Sequence, residues 1–296
     1  MNISINPDLD FKALKMQFRD NKRVRVNNFL KSECAQYIAH NLKNSTPWHL
    51  VHSDPDGLPV RYDAHEYAKL DPQQKTDIDI ELHKLAADHY QYKYKFFPII
   101  DAIKAGTLTP GSMLFDVANF VNSTEFIGFS RALTGVNSLV KMDPQGSLYE
   151  PGDFLTMHDD SNYQRIAGDQ SSRRFAVVLG FTENWSSNWG GQTAFYSAPN
   201  AIESSSWNPG FNVMTIFEVP VQHAVNYVTP FAKHGRYSIT GWLRDDPSIK
   251  RPDLGDSTEQ KSASGMSSEQ PYLKRSCIAQ VILVFSVTEK SALALP

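Results

Sequence analysis

Leu155-Thr156-Met157-His158-Asp159-Asp160-Ser161 is the stretch on which the reading of this chain turns. His158 and Asp160 stand two residues apart in a run that opens with Phe154 and Leu155 and reads as extended. In a strand, side chains at i and i+2 leave the same face. The spacing therefore sets an imidazole beside a carboxylate, as neighbouring ligands of a divalent metal. Taken alone, His-x-Asp is common by chance. A third ligand must come from elsewhere, and His223 in Val219-Pro220-Val221-Gln222-His223-Ala224-Val225 is the candidate. Two histidines and one carboxylate form a facial set that holds non-haem iron(II) and leaves positions open for oxygen and a chelating cosubstrate.

The sequence after His223 adds to that reading. A turn with Pro230, Lys233 and Gly235 leads into Arg236-Tyr237-Ser238-Ile239-Thr240-Gly241-Trp242, so the region reads as two strands joined by a turn, with Arg236 beside the metal-bearing strand. A buried arginine binds a carboxylate through two parallel hydrogen bonds. Near an iron site it suits the far carboxylate of 2-oxoglutarate; the bland alternative is a surface charge at a strand end. Asp159 points away from His158 and Asp160 if the strand is regular. The other histidines, among them His40, His49, His52, His65, His83, His89 and His234, are expected on surfaces or helix faces.

Around this segment the texture is β-like from Leu139 onward. Runs at 138–142, 153–157, 174–182, 191–195, 212–218, 223–228 and 237–243 are separated by turn residues, which suggests an antiparallel sandwich or barrel. Before them the pattern is helical. Residues 8–20 carry Leu9, Leu14 and Phe18 on one face, Ser32 is a candidate N-cap for a second helix, Pro72 opens a long helix, and Ser123 and Gly135 bracket another. Tyr90, Tyr92, Tyr94, Phe96 and Phe97 fall at the end of the Pro72 helix, where packing between helix and sheet is favoured over a place in a substrate groove. Helices first and strands afterwards give an α+β chain in which N-terminal helices buttress one sheet.

The chain has 296 residues, 41% apolar and 11% aromatic, with net charge −3. That size suits one large domain, and the charge gives no footprint for nucleic acid. The two cysteines, Cys34 and Cys277, are far apart and support neither a disulfide framework nor a cysteine-based zinc site. The N-terminus lacks the basic flank and apolar core of a signal peptide, and no apolar run reaches the roughly 18 residues of a membrane span, so a cytoplasmic protein is expected. A domain over 1–246 is expected to divide into a helical part, 1–136, and a barrel, 137–246. Residues 247–296 read as a mobile tail rich in Ser, Pro, Gly and charge, ending in an apolar run, 278–285, to which no function is assigned.

The ordered motifs resemble those of the iron(II)- and 2-oxoglutarate-dependent dioxygenases, in the prolyl 4-hydroxylase-like group. The stretches that carry the resemblance are Tyr149–Asp160, Arg173–Leu179, Trp189–Tyr196, His223 and Arg236–Trp242, within a similarity spanning roughly 20–246. The resemblance is closest to the branch of the ribosomal-protein prolyl hydroxylases and their bacterial relatives, where a His-Asp-Asp triplet also occurs. Arginine at 236, where animal and plant prolyl 4-hydroxylases use lysine, favours that branch. The second, degenerate barrel of the eukaryotic ribosomal-protein enzymes has no room in this chain.

The resemblance implies a double-stranded β-helix, or jelly-roll barrel, with the metal at its mouth. It implies Fe(II) held by His158, Asp160 and His223, 2-oxoglutarate and O2 as cosubstrates, and ascorbate as a candidate reductant. Arg236 and Ser238 would hold the far carboxylate of 2-oxoglutarate and Tyr149 would help through its hydroxyl. Arg173 or Arg174 would face the substrate, the alternative being a solvated pair at a strand start. Trp242 would pack deeper in the barrel. Gly190 and Gly191 would permit a tight turn. Residues 46–70 and 183–190 are candidate rim loops, with Trp185 and Trp189 available to stack on a proline ring or to anchor the loop. The implied reaction is hydroxylation of an aliphatic C–H, foremost of a prolyl residue in a protein or peptide, with succinate and CO2 as co-products. The alternatives are a free amino acid or small metabolite as substrate, or a catalytically silent barrel used for binding. Oligomeric state is not legible.

Overall fold

In the computed structural model, which describes residues 1–160, 172–198 and 204–256, local signals set most helix ends. α1 (Phe11–Asn21) starts at Asp10, whose side chain accepts from the Ala13 N–H, and leads into β1 (Arg23–Asn27). α2 (Ser32–Asn44) buries Cys34, Ala35, Ile38 and Leu42 on one stripe. Ser32, expected as its cap, is instead its first residue; Lys31 occupies the cap and contributes no side-chain bond. β2 (His49–Ser53), β3 (Pro59–Tyr62) and α3 (Ala64–Lys69) follow. α4 (Pro72–Leu85) begins with Pro72 behind a reciprocal Asp71–Gln74 cap, a pairing that satisfies two orphan N–H groups. β4 (Tyr92–Phe97), α5 (Ile99–Lys104), α6 (Met113–Val121) and α7 (Thr124–Thr134) complete the N-terminal part. Ser123 caps α7 through the Phe126 N–H, and Gly135 ends it in the left-handed conformation at φ 75°.

The remaining strands are β5 (Leu139–Tyr149), β6 (Phe154–His158), β7 (Ser172–Phe181), β8 (Thr193–Tyr196), β9 (Ser204–Trp207), β10 (Phe211–Glu218), β11 (His223–Val225) and β12 (Arg236–Asp245). They form one curled antiparallel sheet in the order β1-β10-β7-β12-β5-β4-β6-β11-β8-β9, with β2 and β3 attached beside β4. The curl brings β6 and β8 over β12: Trp242 of β12 reaches Asp160, just past β6, and Arg236 of β12 reaches Thr193 of β8. This is the jelly-roll architecture expected from sequence, with helices against one sheet.

Alternation along the strands separates two interiors. Val24, Val26, Val177, Leu179, Met214, Ile216, Ile239 and Leu243 join the helix side chains in the main apolar core. Their neighbours in sequence point the other way, into the barrel. Register pairing sets Trp242, Ala176, Phe217 and Arg23 in one interior row and Thr240, Val178, Thr215 and Arg25 in the next. Polar and charged residues alternate with core residues because the barrel interior is a site rather than a packed centre.

β5 runs unbroken through Pro144 and Gly146, where turn formers had suggested a short strand over 138–142. Pro144 is tolerated because β4 pairs only with Gly146–Leu148, leaving that edge of Pro144 without a β4 partner. Gly146 lies under the Trp48 ring, where a Cβ would come within 3.1 Å. Residues 247–256, assigned from sequence to the tail, pack on the helical layer. Arg251 donates to the carbonyls of Val140 and Asn122, and Asp256 pairs with the buried Arg131 at 2.8 Å. Cys277 and the 278–285 run lie outside the described residues. Among the described residues, no helix is long and apolar enough to cross a membrane.

Candidate metal centre and its cavity

β6 and β11 pair antiparallel with His158 opposite His223, and the two imidazoles stand 4.1 Å apart between ring centroids. β6 ends at His158, so strand alternation does not deliver the carboxylate, as the sequence spacing had suggested. Asp160 instead has a left-handed backbone, φ 62°. That region costs an L-residue roughly 1–2 kcal/mol, and Asp is among the residues that enter it most readily. The turn swings the carboxylate back between the rings. One oxygen lies 3.4 Å from His158 Nε2 and the other 3.6 Å from His223 Nε2, and the ligating atoms of the three residues all lie within 4.8 Å of one another.

Both histidines are fixed in the tautomer a metal needs. His158 Nδ1 faces the Thr156 carbonyl at 3.0 Å and His223 Nδ1 the Val221 carbonyl at 2.8 Å. A carbonyl only accepts, so each Nδ1 carries the hydrogen and each Nε2 presents its lone pair to the centre. Burial, joined by the charge of His158 and resisted by Asp160, takes His223 down to about 4. It is therefore neutral, and a competent ligand, at physiological pH. Burial would raise Asp160, but its hydrogen bond to His158, the charges of His223 and His158, and the Trp242 N–H prevail and hold it at about 2. Trp242 thus does more than the packing expected of it. Its Nε1 donates to Asp160 at 3.0 Å and orients the carboxylate.

The cluster opens on a cavity of about 320 Å3. Its walls include Tyr90, Tyr92 and Tyr94, Tyr149, Arg173, Trp242, Thr193 and Arg236, and Gly57 between β2 and β3 reaches its rim. Sequence reasoning had set the three tyrosines at a helix end as packing. Their period of two, Tyr-x-Tyr-x-Tyr, is a strand signal: Tyr92 and Tyr94 belong to β4, and Tyr90 lies two residues before its start. Tyr90 stands 5.7 Å from the His158 ring, and Tyr94 stacks on Tyr149 at 4.9 Å. Burial, the largest influence, raises Tyr90, Tyr94 and Tyr149 and pushes Tyr92 up to about 12, so these side chains are hydroxyl donors rather than anions.

Arg236 lies deeper. It is 5% exposed, donates from Nη2 to Thr193 Oγ1 at 3.0 Å and sits 5.3 Å from the Tyr149 ring. Among the described residues its Nη1 is buried without a hydrogen-bond partner, and so is the hydroxyl of Ser238, two residues on. An orphaned buried guanidinium N–H beside an orphaned hydroxyl costs several kcal/mol unless an anion fills the gap. The residues present therefore fit a bound carboxylate. β11 and β12 are not a hairpin; β12 pairs with β5 and β7, and Arg236 reaches the metal-side sheet across the barrel.

The two adjacent arginines diverge. Arg173 enters the cavity with its guanidinium 3.6 Å from the Trp242 ring centroid, whereas Arg174 pairs with Asp245 at 2.8 Å on the outside. Trp189 does not line the cavity. It packs edge-on against Trp185 and His234, at 5.3 and 5.1 Å, and anchors its loop. Gly190 and Gly191 have φ 71° and 67°, and a Cβ on Gly190 would fall 1.9 Å from the Tyr227 carbonyl, so the tight passage there requires glycine. Asp159 lies outside the cluster, within 3.4 Å of Gln222 Nε2.

Comparison with curated proteins gives no match. Among solved structures, a prolyl-4-hydroxylase from Pseudomonas putida is similar at 17% identity, over 79% of this chain and 98% of that one, with a TM-score of 0.48. A prolyl hydroxylase from Trichoplax adhaerens, in complex with a hypoxia inducible factor oxygen degradation domain peptide fragment, is similar at 19% identity over 79% and 89%, with a TM-score of 0.49. The non-heme alpha ketoglutarate dependent epimerase SnoN from nogalamycin biosynthesis is similar at 12% identity over 89% and 95%, with a TM-score of 0.45. Residues 144–244, which hold the His-Asp-His cluster and the deep arginine, match the family described as the 2OG-Fe(II) oxygenase superfamily. The match spans about a third of the chain, and the superfamily it points to works with iron(II), 2-oxoglutarate and dioxygen, reagents that the His-Asp-His cluster fits.

Proposed function

We propose that this protein is a dioxygenase that hydroxylates an aliphatic C–H, foremost that of a prolyl residue in a protein or peptide, with succinate and CO2 as co-products. The observation that carries the reading is the pairing of two features on one cavity. At one end, the ligating atoms of His158, Asp160 and His223 converge within 4.8 Å; at the other lies Arg236, whose Nη1 is buried with no partner among the described residues, with the likewise unpartnered Ser238 two residues on, lining the small space next to it. In this reading the three residues hold iron, and Arg236 with Ser238 receives the far carboxylate of 2-oxoglutarate. The bound iron and 2-oxoglutarate would supply the activation of dioxygen.

The chain's own groups position and shield. The His158 and His223 tautomers are set by backbone carbonyls, Trp242 fixes Asp160, and Tyr149 offers a hydroxyl to the cosubstrate. The aromatic wall of Tyr90, Tyr92, Tyr94 and Trp242 keeps water from the reacting carbon and suits a saturated ring. Arg173, inside the cavity, supports a second reading, in which the substrate is a free amino acid whose carboxylate it meets.

The test is anaerobic titration of iron(II) and 2-oxoglutarate into the metal-free protein, following the weak visible charge-transfer band, with His158→Ala and Arg236→Ala as controls. A band that requires His158 and weakens without Arg236 supports the site. Mass spectrometry of proline-containing peptides and of free amino acids, each incubated with the loaded protein, then looks for a gain of one oxygen. No band from folded protein with excess iron would overturn the oxygenase reading and favour a binding barrel.

A further inference from the structure

Behind Arg236 the barrel holds a second, much smaller cavity of about 20 Å3, room for one water-sized group. It shares Thr193 and Arg236 with the main cavity, and Arg25 and Ser238 add to its lining. Arg25 is on β1, contributed by the N-terminal part. Its neighbours Val24 and Val26 are buried in the helical core, so alternation turns Arg25 into the barrel, in register with Thr215 and Val178. Its entry is built: Nη1 donates to the Asn208 carbonyl at 2.6 Å, and a Cβ at Gly210 would stand 2.7 Å from Nη2.

Two guanidinium groups therefore line one small space whose described lining contains no carboxylate. Arg236 and Ser238, whose Nη1 and Oγ are buried without a partner among the described residues, are both among its lining residues. Two like charges at an uncompensated floor repel, and an anion between them relieves both. Burial is the main influence that lowers the pKa of Arg236, and the charge of Arg25 acts in the same direction.

We propose that Arg25 is a second cation for the far carboxylate of the cosubstrate, and that it sets the preference of this site for a dicarboxylate over a monocarboxylate 2-oxo acid. The proposal rests on the role given to Arg236 above. It adds a specificity-determining residue from outside the 144–244 segment, one that acts through charge at the floor while Arg236 and Ser238 supply the direct hydrogen bonds.

The experiment compares binding of 2-oxoglutarate and of 2-oxovalerate, which has the same carbon chain without the far carboxylate, to the Mn(II)-loaded protein by calorimetry. Wild type should favour 2-oxoglutarate. In Arg25→Gln the preference should fall roughly tenfold, entirely through weaker 2-oxoglutarate binding, and Arg25→Lys should restore part of it. Arg236→Gln separates the two readings. If it binds 2-oxoglutarate like wild type, the cosubstrate site itself is misassigned. If it loses binding while Arg25→Gln keeps the wild-type preference, only the present proposal falls. Should Arg25→Gln not fold, a crystal structure of the wild-type Mn(II)–2-oxoglutarate complex decides. An Arg25 nitrogen within 4 Å of the far carboxylate, or one water away, supports the proposal; Arg25 turned out of the floor overturns it.

Discussion

Trp242→Phe isolates a single interaction at the metal centre. The substitution keeps an aromatic face for the Arg173 guanidinium, which lies 3.6 Å from the ring centroid, and removes only the Nε1–H that donates to Asp160 at 3.0 Å. A hydrogen bond to a charged carboxylate is worth about 1.5–3 kcal/mol net. Much of that is lost from the metal-free and metal-bound states alike, so it does not all appear as affinity. The part that does is orientation: Asp160 sits in a left-handed turn beyond the end of β6, and no strand pairing holds it there. Outer partners of metal ligands typically account for 10–100-fold in affinity. The expectation is a loss of about tenfold in Mn(II) or Fe(II) affinity, measured anaerobically by competition with a chelator. Trp185→Phe, in the loop cluster with Trp189, serves as the control and should leave affinity unchanged. A folded Trp242→Phe protein that binds metal within twofold of wild type would refute the assignment of Trp242 as the group that orients Asp160.

Burial, the dominant influence, pushes Asp153 up to about 7 against the Glu150 N–H and the charge of Lys93. The folded protein then holds that proton more firmly than the unfolded chain, so the stabilising contribution is full below about pH 4 and is lost as pH rises through about 7. Asp153→Asn should therefore gain stability relative to wild type from pH 4 to 7, by roughly 2–4 kcal/mol at the plateau; a melting-temperature difference independent of pH counts against it. Gly190→Ala should lose about 3 kcal/mol or more, because its Cβ would meet the Tyr227 carbonyl at 1.9 Å; chemical denaturation measures this, and a loss under 1 kcal/mol would contradict the close passage. Ending the chain after Asp246 should strip the buried Arg131 of its Asp256 partner and remove the bonds of Arg251, lowering stability by about 3 kcal/mol. Unchanged thermal unfolding would show that this segment contributes nothing to the fold.

The fold class was legible because it follows from local chemistry. Pro72 at a helix start, the cap at Ser123, the left-handed stop at Gly135 and period-two runs from Leu139 onward act within a few residues of one another. The candidate metal cluster was legible for a different reason: His158-x-Asp160, common by chance when taken alone, is followed in order by His223 and Arg236, and the ordered set carries information even before any distance is known. The spacing argument for Asp160 reached the right neighbour by the wrong geometry, since a turn rather than a strand brings the carboxylate back. Tyr90, Tyr92 and Tyr94 failed through a period mistaken between helix and strand, because an aromatic run after a helix signals burial but not which surface it buries.

What only the tertiary structure decided are the relations across the barrel. Which of Arg173 and Arg174 turns inward depends on where β7 meets β12. The bond from Trp242 to Asp160 joins residues 82 apart in sequence, and that from Arg236 to Thr193 joins residues 43 apart. The presence of Arg25 at the floor depends on β1 adding to the far edge of β10. Sequence by itself determined the elements and the chemical types available to a site. The closure of the sheet determined which of them share a cavity, because strand order and register are set by long-range burial that no short stretch encodes.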